Sequence, residues 1–357
     1  MNRLRVFLFL SVMALARNGL CAVATNPPGV DLNRIRADVE TLVSFGSRVT
    51  GYAGNRRAAN LIERRFRELG LEVMTQEFPI PMPMDEGATL QVTSDQSAGN
   101  SRQPAGSREP STIPHQPLTI KLYPLWPNLV RTSQLPPEGI TGRLIDAGDG
   151  ELSRFNGKEV AGSIVLLDFN CGLRWLNAPM LGAAAVIFVE PDETTRGEAE
   201  RKYLRVPVDV PRFYVKKADA VNLRLMANLR DNHPTVTLRC TMPWREVIGR
   251  NIIGFLPGTD ATLRDEVITF TAYYDSISAV PSLAPGAEQA CGVATLLEMA
   301  RLFARQRPKR SVMFVATDAH AHALTGARKF FDLFGKETKR LPYQPEEPTG
   351  VVRKLLD

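Results

Sequence analysis

Two periods of apolar residues run through this chain, and the switch between them divides it. Over residues 31–45 and 55–69 apolar positions recur at helical spacing. In the second stretch Ala58, Leu61, Ile62, Phe66 and Leu69 share one face, and Gly70 marks its end. Short runs over 71–73 and 77–80 predict strand beside Pro79, Pro81 and Pro83. From Leu118 to about Met242 the runs become short and β-rich (118–123, 142–145, 163–168, 184–189, 235–238), which predicts a compact, mostly β domain with one or two helices. Beyond Arg250 the spacing predicts strands over 251–255 and 266–273, a helix over 289–306 and a wholly apolar strand over 311–316. That order of strand, helix and continuous apolar strand is the pattern of a βαβ unit in a buried parallel sheet. A helix over 325–334 and a short apolar run over 351–356 complete the pattern, and no internal repeat is visible.

Composition refines this picture at three places. The 357 residues are 44% hydrophobic and 23% charged, proportions that exclude a disordered, collagen-like or coiled-coil chain and suit two domains. Residues 93–117 contain 11 Ser, Gly or Pro in 25 positions, so they predict a flexible linker that cannot bury enough to order itself. At the start, Arg3 and Arg5 precede an apolar run over 6–16 and the small-residue pattern Ala22-Val23-Ala24, which predicts a signal peptide over residues 1–24 and an exported protein, secreted or periplasmic. An 11-residue run is short of the roughly 20 that span a bilayer, so no membrane span is expected after its removal.

Removing that segment leaves 41 basic against 38 acidic residues, a net charge of +3, and with it goes the electrostatic case for nucleic acid. Cys171, Cys240 and Cys291 remain. A Cys171–Cys240 disulfide and three small buried thiols are both open readings, and no spacing suggests a cysteine-ligated metal.

The residues then resemble a known family, the exported co-catalytic dizinc aminopeptidases and carboxypeptidases, relatives of glutamate carboxypeptidase and the transferrin receptor. The resemblance rests on Gly46-Ser47-Arg48-Val49-Thr50-Gly51, on Asn251-Ile252-Ile253-Gly254 with Leu256-Pro257-Gly258-Thr259, on Thr271-Ala272-Tyr273-Tyr274-Asp275-Ser276, on the stretch from Pro285 to Ala294, and on the stretch from Phe314 to Gly326. Gly157 to Leu166 and Leu181 to Ile187 are similar to a protease-associated domain, an insert common in that family. The implied fold is an α/β three-layer sandwich of the zinc-exopeptidase type. Its parts are 25–92 and 246–357, joined through the 93–117 linker to an inserted β-rich protease-associated domain over 118–245. The sheet reads as incomplete, because a doubly wound sheet normally continues through several more βα units.

The same resemblance implies where metals would bind, and there this chain departs from it. The family's first zinc-ligating His is replaced by Tyr273, a neutral phenol with a pKa of about 10. Asp275, which would orient that His, is retained. Glu288 stands for the bridging Asp, His320 for the general-base Glu, and Ala321, which coordinates nothing, for a zinc-ligating Glu. No His follows His322, although the family's last ligand is one. A rebuilt site is an alternative, in which His320 and His322 of a His-x-His pair join Glu288 around one zinc ion. Two readings of function follow. The first is an exported pseudopeptidase that binds a protein or peptide without cofactor. The second is an atypical metal-dependent hydrolase using Glu288, His320 and His322, with His320 as its base.

Overall fold

The computed structural model describes residues 29–93, 118–203, 206–228 and 234–333. The expected signal segment, most of the expected linker and the run over 351–356 lie outside them. The chain forms two units, one of residues up to Met82 with 246–277 and 283 onward, the other of 83–245 with 278–282.

The first unit opens with α1 (Leu32–Ser44) and α2 (Ala53–Glu68). The Asp31 carboxylate accepts from the backbone N–H groups of Asn33 and Arg34, so the first turn of α1 is capped. At the other end of α2, Gly70 adopts φ +76°; its N–H donates to the Arg67 carbonyl and that of Leu71 to the Phe66 carbonyl. This paired closure needs a left-handed residue after the helix, which glycine supplies without a Cβ clash. The strand segments expected over 71–73 and 77–80 are one strand, β1 (Glu72–Pro83). Its three prolines are tolerated because β1 is an edge strand, where a missing N–H costs no ladder bond.

The second unit is a closed barrel. Its strands are β2 (Gly87–Thr93), β3 (Thr119–Pro124), β4 (Ile140–Asp146), β5 (Ile164–Asp168), β6 (Ala185–Val189), β7 (Arg212–Val215) and β8 (Thr235–Thr241), in the order β2-β3-β7-β6-β5-β4-β8. Helices α3 (Asn177–Met180), α4 (Arg196–Glu200) and α5 (Lys217–Ala227) decorate it. Leu90, Leu122, Leu144, Ile164, Ile187, Phe213, Val236 and Leu238 fill a single core. Because β2 pairs along its whole length with β8, the unit begins at Pro83, whereas the sequence placed residues up to 92 with the first unit. Trp175 is fully buried and its indole N–H donates to the Arg201 carbonyl at 3.0 Å, but Met180 is 80% exposed and belongs to no core. Cys171 and Cys240 are buried free thiols and Cys291 is an exposed one, so the two barrel cysteines do not form a disulfide.

The chain returns to the first unit through β9 (Trp244–Leu256), then β10 (Val267–Tyr273), α6 (Ala287–Arg305), β11 (Ser311–Thr317) and α7 (Thr325–Asp332). The sheet order is β1-β9-β11-β10; β11 runs antiparallel to β9 and parallel to β10. Every residue of β11 is buried, as expected for a strand covered on both faces. On one face Leu42, Ile62, Phe66, Val293, Leu297 and Ala300 from α1, α2 and α6 meet Ile252 and Phe314. Phe330 of α7 covers Ile253, Met313 and Val315 on the other. At Gly254 a Cβ would lie 2.8 Å from the Phe66 ring, so only glycine lets α2 approach the sheet there. The unit is a three-layer α/β sandwich.

Candidate functional site

In a parallel sheet the strand ends that carry chemistry are the C-terminal ones. Here β10 and β11 end side by side, Tyr273 opposite Thr317, and the segments after them run together. Tyr274, Asp275 and Ser276 follow β10, and residues 318–324 follow β11.

Asp318 is the centre of a buried hydrogen-bond network. Its Oδ1 accepts from Thr50 Oγ1 (2.8 Å), Asn55 Nδ2 (2.9 Å) and the Ala319 backbone N–H (2.8 Å). Its Oδ2 accepts from the Arg250 backbone N–H (3.2 Å) and the Tyr274 hydroxyl (3.0 Å). Four donors fix this carboxylate together with the Tyr274 hydroxyl, which shares its one proton with the Arg250 carbonyl at 2.7 Å, and they draw α2, β9, β10 and β11 to one point. Asp275 is equally buried but less well served: Oδ2 accepts a long bond from the Ala321 N–H at 3.4 Å, the His320 backbone N–H also favours the carboxylate, and Oδ1 has no hydrogen-bond partner. Burial, then the neighbouring Asp318 charge, push the Asp275 carboxyl up to about 8, so at neutral pH it holds a proton. Asp318 shares the same burial, which raises it, and its donors pull the other way. Of the pair, Asp275 takes the proton.

Arg48, fully buried, ties the floor of the site together. Its Nε donates to the Tyr274 carbonyl (3.0 Å), one terminal nitrogen to Gly286 O (3.0 Å) and the other to Pro285 O, while its backbone N–H reaches Ser276 Oγ at 3.1 Å. Burial lowers the guanidinium to about 10, which still leaves it charged at neutral pH.

The loop after β11 is unusual in its backbone. Of four non-glycine residues with positive φ among those described, three lie here: Ala319 (54°), Ala323 (51°) and Leu324 (59°). Left-handed conformations cost roughly 1 kcal/mol or more in such residues and collect where a segment's shape is over-determined. The tight turns are held by backbone bonds from the N–H groups of His322 and Thr325 to Ala319 O, and from that of Leu324 to His320 O.

The predicted site residues are distributed as follows. Tyr273 and His320 meet directly: their rings stack, with centroids 3.9 Å apart and planes at 15°. His322 is half-buried, and burial lowers its imidazole to about 4. Glu288 is exposed in the first turn of α6. Ala321 offers the loop only its backbone. Among the described residues no group of three or more His, Cys, Asp or Glu side chains converges to hold a metal ion, so Glu288, His320 and His322 are not brought together. The donor set also fails on its chemistry. Two of the expected ligand positions are a phenol stacked on a ring and an alanine. The residues present do not fit a dizinc centre.

Sequence reasoning missed Asn55, Thr50, Tyr274 and Asp318, and gave Arg48 no role. Asn55 had a signal, since it lies on the same apolar stripe of α2 as Ala58, Ala59, Ile62 and Phe66, and a polar residue there must find a partner inside.

Residues 251–343 match the model of Peptidase family M28. The Vacuolar membrane protease of Laccaria bicolor is 37% identical over 83 residues, 23% of this chain and 8% of that protein. The Vacuolar membrane protease of Schizophyllum commune is 35% identical over 85 residues, 24% of this chain and 9% of that one. The chain thus spans under a tenth of the length of these curated relatives. Among solved structures, a zinc aminopeptidase from Bacillus subtilis is similar with a TM-score of 0.55 and 25% identity, over 86% of this chain and 66% of that one. A Peptidase M28 precursor from Shewanella amazonensis shares the fold with a TM-score of 0.51 and 17% identity, over 84% of this chain and 66% of that one. The resemblance to the dizinc exopeptidases and the α/β fold it implied therefore hold. The expected secretion does not: both curated relatives are named for the vacuolar membrane. No described helix is long and apolar enough to cross a membrane.

Proposed function

We propose that this chain is a non-catalytic protein of the M28 peptidase fold that binds a protein or peptide, with the barrel unit serving as a protease-associated insert. One observation carries the reading. At the joined ends of β10 and β11, Tyr273 and His320 cover each other's ring faces and Ala321 follows, so the place where the related enzymes keep metal-ligating side chains offers no converging ligands. A phenol is neutral at pH 7 and a methyl group donates nothing, so neither Tyr273 nor Ala321 could hold a metal ion that activates water. What surrounds them is a buried hydrogen-bond network built on Asp318 and Arg48, beside a largely exposed loop. Function follows the site and not the fold, so peptide binding is retained in this reading and hydrolysis is not.

The alternative, a metal-dependent hydrolase using Glu288, His320 and His322, is separated from it by metal content. The purified chain is dialysed against dilute zinc, then against zinc-free buffer, and its metal is measured by elemental mass spectrometry. The expected result is no retained ion. About one equivalent of zinc, lost in His320→Ala, would overturn the non-catalytic reading.

A further inference from the structure

Elsewhere in the first unit arginines pair with carboxylates, Arg65 with Asp38, Arg67 and Arg250 with Glu63, and Arg301 with Glu298. The connection from α6 to β11 departs from this. It reads Arg305-Gln306-Arg307-Pro308-Lys309-Arg310, four cations in six residues. Against it lies the turn that leads from β9 to β10. There Thr259 N–H donates to the Pro308 carbonyl (3.0 Å) and Asp260 N–H to the Lys309 carbonyl (3.2 Å), while Ser311 Oγ donates to the Arg264 carbonyl (2.6 Å). These bonds set Arg264 beside the basic run and fix both segments at one end of the sheet.

The acids of the same place are mostly committed. Glu266 takes Arg310 at 2.7 Å, and Asp260 accepts from the backbone N–H groups of Thr262 (2.9 Å) and Leu263 (3.0 Å), which shapes its own turn. Arg264, Arg305, Arg307 and Lys309 are exposed, and among the described residues none of them forms an ion pair. Asp265 alone stands near them as an exposed carboxylate without a partner among the described residues. Like charges gathered in this way repel one another, and no contact within the fold repays it. The run lies at the N-terminal ends of β10 and β11, whereas the candidate site lies at their C-terminal ends, a seven-residue strand or about 20 Å away. A sheet grows at its edges, so further strands would run beside this loop and not across it.

We propose that Arg264, Arg305, Arg307 and Lys309 form a docking surface for an anionic phospholipid membrane. The partner of such a surface has to offer dense negative charge and needs no particular shape, because the four cations stand on long flexible stems along one rim. Nucleic acid fits less well. Single strands are held on aromatic rings, and neither 257–266 nor 304–311 contains one. A duplex draws its affinity from about 6–10 phosphate contacts, more than four side chains make. A leaflet of acidic headgroups asks for neither, since clusters of about four or more Lys and Arg bind it by charge alone. Docked at this end, the chain keeps the far ends of β10 and β11, and with them the candidate site, turned toward solvent.

Co-sedimentation of the full chain with vesicles tests this, with thermal melts to verify that each variant folds. The wild type is expected to pellet at low salt with phosphatidylcholine vesicles carrying about 30% phosphatidylserine, to stay in solution with pure phosphatidylcholine, and to be released at high salt. Arg307→Gln/Lys309→Gln removes two of the unpaired cations and is expected to weaken binding by about tenfold or more. Arg36→Gln/Arg328→Gln removes the same charge from exposed positions elsewhere on the unit and is expected to bind as the wild type does. A wild type that ignores the acidic vesicles, or binds both kinds alike, overturns the proposal. Equal weakening in the two double variants overturns it too, because the attraction would then follow net charge and not this surface. A short DNA duplex that binds more tightly than the vesicles, and is lost in Arg307→Gln/Lys309→Gln, assigns the surface to nucleic acid and overturns it as well.

Discussion

Tyr273 and His320 close the site between them, ring on ring at 3.9 Å, one as the last residue of β10 and the other three positions beyond β11. An imidazole in that position is shielded from water on one face, and burial holds it below the ordinary histidine value. Its neighbour His322 is held lower still, at about 4. In a proton NMR titration the ring signals of His322 should move with a midpoint near 4, and a midpoint near the ordinary ~6.5 would contradict the burial described above.

Stability should register the same shift. Between the unfolded value of ~6.5 and the folded value of about 4, the unfolded chain binds a proton at residue 322 that the folded chain refuses. Stability therefore falls as pH drops through that window, by up to about 1 kcal/mol per pH unit from this group. Urea melts of His322→Gln should show a shallower decline than wild type over the same range.

Asp275 predicts the opposite sign. Its folded value, about 8, lies above the unfolded ~3.9, so the folded state holds a proton that the unfolded state has lost, and stability falls as pH rises from about 4 to 8. Asp275→Asn has the shape of the protonated acid and no proton to lose. It should be close to neutral at pH 4 and stabilising by roughly 1–3 kcal/mol at pH 8. A variant that is destabilised at pH 8 would show that the carboxylate form is the one the fold requires.

Arg48 holds three carbonyls with one planar group, a task lysine cannot perform. Arg48→Lys should lose about 2 kcal/mol or more, and Arg48→Ala about 3 kcal/mol or more, since each strands buried carbonyls of the segments after β10 and before α6. Chemical denaturation checks both, and a lysine variant as stable as wild type would remove the guanidinium from its central place.

Thiol chemistry should divide the cysteines by burial. In a Cys21→Ser background the native protein should react with an aromatic disulfide reagent at Cys291, while burial raises the Cys171 and Cys240 thiols, the latter to about 12, and leaves them inert until denaturant is added. Rapid native labelling of Cys240 would contradict the closed barrel.

The sequence made the β10-α6-β11 unit legible because its signals are local: an amphipathic helix between two strands, the second apolar throughout. It did not reveal β2, whose partner β8 lies more than 140 residues away and whose pairing leaves no periodic trace. The prolines of β1 looked like strand breakers because nothing local says that a strand will lie at an edge. At the site, motif likeness marked Tyr273, Asp275, Glu288, His320 and Ala321, but which of them touch depends on the meeting of two strand ends. The supporting residues escaped notice for the same reason. Thr50 and Asn55 acquire meaning only from Asp318, more than 260 residues later.

The loop after β11 takes its shape from three left-handed residues and a set of main-chain bonds, to which His320 adds its stack on Tyr273. Between the two histidines Ala321 contributes only its backbone, and its methyl group is exposed. That one position can be rewritten without refolding the segment, while Asp318, Ala319, Ala323 and Leu324 keep presenting whatever side chain stands there.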